Sequence, residues 1–126
     1  CLSQRLGFAI PLNVFGKGLS IAHYGCLVVN EESIIGDFCR IHENVTIGVT
    51  GDAYWGKNTN CAAKIGNNVF IATGVKIIGN VKIADGVAIG ANAVVVKDIL
   101  EPYTSWGGIP AQKISNKGSS RYIRKE

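Results

Sequence analysis

Aliphatic residues recur at Ile65, Ile71, Ile77, Ile83, Ile89 and Val95, a spacing of six held five times in succession. Four places after each of the first five stands a small or β-branched residue: Val69, Val75, Val81, Val87 and Ala93. The upstream half keeps the same beat at Val29, Ile35, Ile41 and Ile47, with Cys39 and Val45 at the fourth offset. A period of six fits neither an α-helix nor a two-residue alternation. It fits a triangular solenoid in which each hexapeptide supplies one short strand and one corner, and three make a coil of about 18 residues. One repeat cannot bury its apolar side alone, so stability must come from stacked neighbours. The chain holds 28 Val plus Ile against 6 Leu, which agrees, because β-branched side chains suit a pleated surface.

With the two extra residues between Ile21 and Val29 and the twelve extra between Ile47 and Ile65 set aside, counting by 18 predicts three stacks. Ile21 lies under Ile41, Ile71 and Ile89; Val29 under Ile47, Ile77 and Val95; Ile35 under Ile65 and Ile83. Gly66-Asn67-Asn68 and Ala84-Asp85-Gly86 follow their aliphatic residues as tight corners that suit a positive φ. Two irregularities interrupt the beat. Eight residues separate Ile21 from Val29, and the excess contains His23. Eighteen separate Ile47 from Ile65, and the polar, Gly-rich surplus predicts a loop protruding at about 49–63, the alternative being one degenerate coil. Insertions in solenoids commonly map to the binding face. The stacking sets Ala22 beside His42 and His23 beside Glu43 on one edge near that loop. The expected organisation is a helical or extended lead-in at 1–14, the repeat domain at 15–98, and a closing segment with a basic tail at 99–126. The beat is expected to stop after Val96, and 119–126 to form a short helix or fray.

Charged residues are 17% of 126, well under the usual quarter, which excludes disorder and a charged coiled coil. The net charge is +4. Residues 1–111 balance eight basic against eight acidic side chains, so the excess lies in Lys113, Lys117, Arg121, Arg124 and Lys125, less Glu126. A neutral body argues against a nucleic-acid partner. The tail reads as a solvated terminus, or as one that helps hold a polyanionic cofactor. No apolar run reaches the ~18 residues of a membrane span. Cys1, Cys26, Cys39 and Cys61 form no C-x-x-C pair and only two His exist, so no metal site is expected. Without a secretory signal the cysteines read as free thiols in a reducing, cytoplasmic setting. The chain has no Met, which points to a processed chain or a fragment.

The beat, the interrupting loop and the segment Trp106-Gly107-Gly108-Ile109-Pro110-Ala111 resemble the hexapeptide-repeat acyltransferases. Within them the chain is most similar to serine acetyltransferases and to related enzymes of capsular-polysaccharide and lipopolysaccharide clusters. The resemblance implies an all-β, left-handed parallel β-helix, a homotrimer with sites between subunits, and acetyl-coenzyme A as donor. Gly16-Lys17-Gly18-Leu19-Ser20-Ile21-Ala22-His23 resembles the stretch ending in the family's catalytic Asp-His, with His23 on that histidine. Val45 to Gly51, with Thr50 and Gly51, resembles the strand and loop beside the coenzyme's thiol end. Ala72-Thr73-Gly74 and Gly90-Ala91-Asn92 match the small residues along the pantetheine groove. Gly108-Ile109-Pro110-Ala111 matches the segment that closes over the coenzyme, with Lys113 beside it; Trp106 reads either as a cover on the adenine or pantetheine or as a cap on the solenoid's open end.

Some places depart from the family. Cys61-Ala62 stand where serine acetyltransferases carry a substrate-binding Arg-His, and Phe8 stands where the partner Asp of the catalytic His falls. A carboxylate substrate without its Arg loses a charge-assisted bidentate contact. The sequence therefore favours a hydroxyl on a sugar or polysaccharide precursor, with serine O-acetylation or a non-catalytic scaffold as alternatives. Acyl transfer from a thioester needs a base for the attacking hydroxyl. His23 suits this, since a histidine pKa of about 6.5 lies near working pH. Its tautomer needs a partner, for which Glu43 is the candidate alongside Glu31 or a backbone carbonyl. His42 is a second candidate on the same edge. Tyr54 and Trp55 read as loop anchors or as a stacking surface.

Overall fold

The computed structural model describes residues 8, 9, 14–22, 25–50 and 62–123. Among them no α-helix occurs, and the strands are two to four residues long. They form three walls. The first runs through β1 (Phe8–Ala9), β3 (Leu27–Val29), β6 (Val45–Gly48), β9 (Lys76–Ile78) and β12 (Val94–Val95). The second joins β4 (Ile34–Ile35), β7 (Lys64–Ile65) and β10 (Lys82–Ile83). The third runs β2 (Ser20–Ile21), β5 (Arg40–Ile41), β8 (Phe70–Ile71), β11 (Ala88–Ile89), β13 (Ser105–Gly107) and β14 (Gln112–Ser115). All neighbours are parallel except the last pair. The walls wind into a left-handed β-helix.

The pairing register reproduces the three expected stacks residue for residue: Ile21–Ile41–Ile71–Ile89, Val29–Ile47–Ile77–Val95 and Ile35–Ile65–Ile83. Fourth-offset side chains fill the space between them, and Cys39, Val45, Val69, Val75, Val81, Val87 and Ala93 are all buried. The inward aliphatic residue ends its strand, or stands one before the end in β6 and β9, and the corner itself falls two to three residues later. The third residue after it takes a positive φ at Phe38, Asn44, Asn68, Gly74, Gly86 and Asn92. Asn and Gly tolerate that region readily; a bulky aromatic does not.

Two expectations need adjustment. No coil intervenes where the beat breaks at 49–63, because β4 pairs directly with β7 and β6 with β9. The solenoid also resumes before 63: Ala62 and Ala63 are buried, and Ala63 accepts from the Ile34 amide. The rest of the expected loop, 51–61, lies outside the described residues, as does most of the lead-in. The six-residue beat does stop after Val96, but the path of the chain does not. Ile99 bridges to Ile83, and Trp106 pairs above Ile89, so the chain climbs part of another coil before β14 turns back. The spacing there is irregular, so the six-residue count misses it.

Candidate active site

The corner after Ile35, Ile65 and Ile83 is a closed ladder. Asp37 Oδ1 accepts from the Lys17 amide at 2.9 Å, Asn67 Oδ1 from Asp37 at 2.8 Å, and Asp85 Oδ1 from Asn67 at 2.7 Å. Each acceptor reaches toward the preceding coil, over Gly16, Gly36 and Gly66. A Cβ on Gly66 would lie 2.2 Å from Asp85 Oδ1.

The corner after Ile21, Ile41, Ile71 and Ile89 is built differently. Ladder bonds place Ala22, His42, Ala72 and Gly90 in one column: their amides donate to Ile41, Ile71, Ile89 and Trp106 carbonyls at 2.8–3.0 Å. Gly107 lies next, its Cα 4.0 Å from where a Gly90 Cβ would stand. The column therefore runs about four strand spacings, roughly 19 Å, and apart from His42 it carries only small side chains. At its far end Gly108 accepts from the Val94 amide at 3.1 Å and Ala111 donates to the Val94 carbonyl at 2.9 Å. This seats the Gly108-Ile109-Pro110-Ala111 segment, with its cis Ile109–Pro110 bond, on β12.

Glu43 follows His42 and is held from both sides. Thr73 Oγ1 donates to its Oε1 and to its backbone oxygen, each at 3.1 Å, and the Gly74 amide donates to the same carbonyl. Gly25 backs onto it, close enough that a Cβ there would lie 2.8 Å from Glu43 Cβ. Both His42 and Glu43 have further partners. Gly25 and Cys26 belong to the eight-residue step that contains His23, so the excess is absorbed at this corner. His23 itself and Gly51 lie outside the described residues.

The other expected residues are scattered around this edge. Thr50 packs on Gly79 at the neighbouring corner. Gly74 and Ala91 occupy turns beside the column. Trp106 is half-buried and its Nε1 donates to Thr104 Oγ1 at 2.9 Å. The Lys113 ammonium pairs with Glu101 at 2.6 Å on the surface. Of the thiols, Cys26 is exposed, while burial pushes the Cys39 thiol up to about 11, against 9.0 ordinarily. Among the described residues no three His, Cys, Asp or Glu come together as a metal set.

Sequence reasoning missed the groups on the third wall. Arg40 and Phe70 precede the inward Ile41 and Ile71, and they share an open cavity of about 490 Å³ with His42, Arg121, Tyr122 and Ile123. An Arg and a Phe at outward strand positions were the available signal. The docking of the C-terminal turn onto them was not legible, since it depends on contacts 51 residues apart.

Residues 62–97 match the family described as bacterial transferase hexapeptide (six repeats), and the fold and register define this part of the chain as a hexapeptide-repeat β-helix. Over 103 residues the chain is 37% identical to the serine acetyltransferase of Synechococcus elongatus, covering 82% of this chain and 40% of that protein. It is 33% identical over 111 residues to that of Salmonella typhimurium, covering 88% and 39%. Among solved structures, the serine acetyltransferase of Brucella abortus in complex with coenzyme A superposes with a TM-score of 0.75 at 33% identity, over 82% of this chain and 40% of that one. The chain thus spans about 40% of the length of these relatives. No helix among the described residues is long and apolar enough to cross a membrane.

Proposed function

We propose that this chain is the acyl-transferring part of an acetyl-coenzyme A-dependent O-acetyltransferase of the serine acetyltransferase kind. The observation that carries the reading is the likeness, at a TM-score of 0.75 and 33% identity, to a serine acetyltransferase solved with coenzyme A. The column from Ala22 to Gly107 supports it. A strip of small side chains flanked by ladder carbonyls suits a long, narrow chain bearing amides, as the pantetheine arm is. Gly108–Ala111 would close over its nucleotide end, and Thr50 and Gly51 would lie near its thiol. The relatives' names specify serine and lend no support to the sugar acceptor expected from Cys61-Ala62, so serine is the acceptor in this reading.

His23 is the general base. The acceptor oxygen bonds to the acetyl carbon, its proton passes to the imidazole, the C–S bond breaks, and the proton returns to the leaving sulfur. Glu43, held by Thr73, is the carboxylate that orients the imidazole, with His42 next to it on the column. Sites shared between subunits of a homotrimer complete the reading, in the cytoplasm where Cys26 and Cys39 stay reduced. Acetyl-coenzyme A consumption against serine and a panel of sugar hydroxyls tests it. Serine-dependent consumption is expected; turnover with sugars alone would return the acceptor to the first expectation, and none with any acceptor, with no thermal shift on adding coenzyme A, would leave a scaffold.

A further inference from the structure

The cavity on the third wall has a charge and a shape that the transfer chemistry above does not use. Phe70 forms its floor, with His42 edge-on at 5.2 Å and the Tyr122 ring stacked at 4.5 Å. Arg40 and Arg121 line the same cavity. No carboxylate among the described residues forms an ion pair with either arginine. Arg121 is not on a loose end. Its turn is fixed by the Ser119 amide donating to Gly86 O at 2.8 Å, by the Ser119 hydroxyl on Asn68 O, and by the Tyr122 amide returning to Ser119 O at 2.7 Å. Two guanidinium groups, neither paired with a carboxylate among the described residues, beside an imidazole and an aromatic ring form a receptor for a small organic anion.

Which anion follows from position. His42 stands one strand from Ala22, and Ala22 precedes the proposed base, so the cavity adjoins the place where the acceptor hydroxyl must sit. The carboxylate of a hydroxy amino acid lies only a few bonds from its hydroxyl. The phosphates of the coenzyme lie a whole pantetheine arm from its thioester. We infer that Arg40 and Arg121 bind the acceptor's carboxylate, in place of the Arg-His pair whose positions hold Cys61 and Ala62. The inference rests on the serine reading and adds the residues that select for the acid.

The test compares L-serine with L-serinamide, which keeps the hydroxyl and the amine but lacks the carboxylate, in the wild type, Arg40→Gln and Arg121→Gln. In the wild type kcat/KM should favour serine by about 10–100-fold, the range for losing a charged hydrogen-bonded contact. In each variant that ratio should fall toward one. A misfolded variant would lose both substrates together and leave the ratio unmoved, so circular dichroism and melting accompany the kinetics. A ratio near one in the wild type, or a wild-type ratio kept in well-folded variants, overturns the assignment while leaving serine acetylation in place. A raised KM for acetyl-coenzyme A with an unchanged serine ratio also overturns it, and assigns the cavity to a phosphate. No transfer to either acceptor by the wild type would instead overturn the functional reading itself.

Discussion

Gly66 and Gly90 occupy the same place in the repeat, one residue after an inward isoleucine, and face opposite surroundings. A Cβ on Gly66 would meet Asp85 Oδ1 at 2.2 Å; on Gly90 the nearest atom would be 3.5 Å away. At the first corner, Asx side chains satisfy the amides of the preceding coil and leave no room for anything else. At the second, the backbone ladder supplies the bonds, the outward positions stay small, and the polar side chains His42 and Glu43 are gathered at one level. One repeat thus builds two kinds of corner: one closes on itself as a scaffold, and the other, where the beat is broken by two residues, forms the candidate site. The cysteines follow the same division, with Cys39 buried beside the ladder and Cys26 exposed beside the site.

The largest effect should come from the core that both corners share. Ile77 is fully buried between Ile47 and Val95. Ile77→Asp would bury an unpaired charge and should cost more than about 4 kcal/mol, unfolding the chain; a variant with unchanged melting would refute the register. Next, Gly66→Ala should destabilise by about 1–3 kcal/mol through overpacking, whereas Gly90→Ala should melt nearly as wild type and instead raise KM for acetyl-coenzyme A by about fivefold, equivalent to ~1 kcal/mol. Equal melting of the two variants would erase the contrast between the corners.

Thiol chemistry gives a third comparison. Alkylation followed by peptide mapping should modify Cys26 within minutes and Cys39 only on unfolding. Because burial raises the folded pKa of Cys39 to about 11, the folded state holds its proton where the unfolded thiol loses it. Its contribution to stability is therefore complete below about pH 9 and lost as pH rises toward 11. Denaturation midpoints for wild type and Cys39→Ala should differ in that window and run parallel below it. The smallest effect belongs to Thr73. Thr73→Val removes one hydroxyl from the Glu43 carboxylate and should lower turnover by about threefold to tenfold, with a displaced acidic limb of the pH–rate profile; an unmoved profile would make Thr73 structural only.

The three stacks were legible because period six is rigid: counting by 18 from Ile41 lands on the right partners once the excess between 47 and 65 is set aside. The corners at Asn68 and Gly86 were legible because those residue types tolerate a positive φ. Phe38 and Tyr103 adopt the same φ, 57° and 55°, and nothing in their chemistry announces it; the stacked neighbours impose it. Ile99 and Trp106 extend the stacks at spacings of four and seven, which a six-residue count discards. At the site, the column of Ala22, His42, Ala72 and Gly90 followed from the register alone. The cavity on the third wall did not, because Arg121 and Tyr122 reach it only through a turn tied to Asn68 and Gly86, contacts that no local pattern encodes.

The division between a closed corner and a chemical one is tested most directly by the two histidines. Initial rates of acetyl-coenzyme A consumption with serine should be measured for the wild type, His23→Ala and His42→Ala, together with coenzyme A affinity. His23→Ala should lower turnover by about 10²–10⁴-fold, the range for losing a general base, with coenzyme A binding unchanged. If His42→Ala abolishes turnover while His23→Ala stays near wild type, the base is His42 and the eight-residue step at the second corner is only a structural bulge.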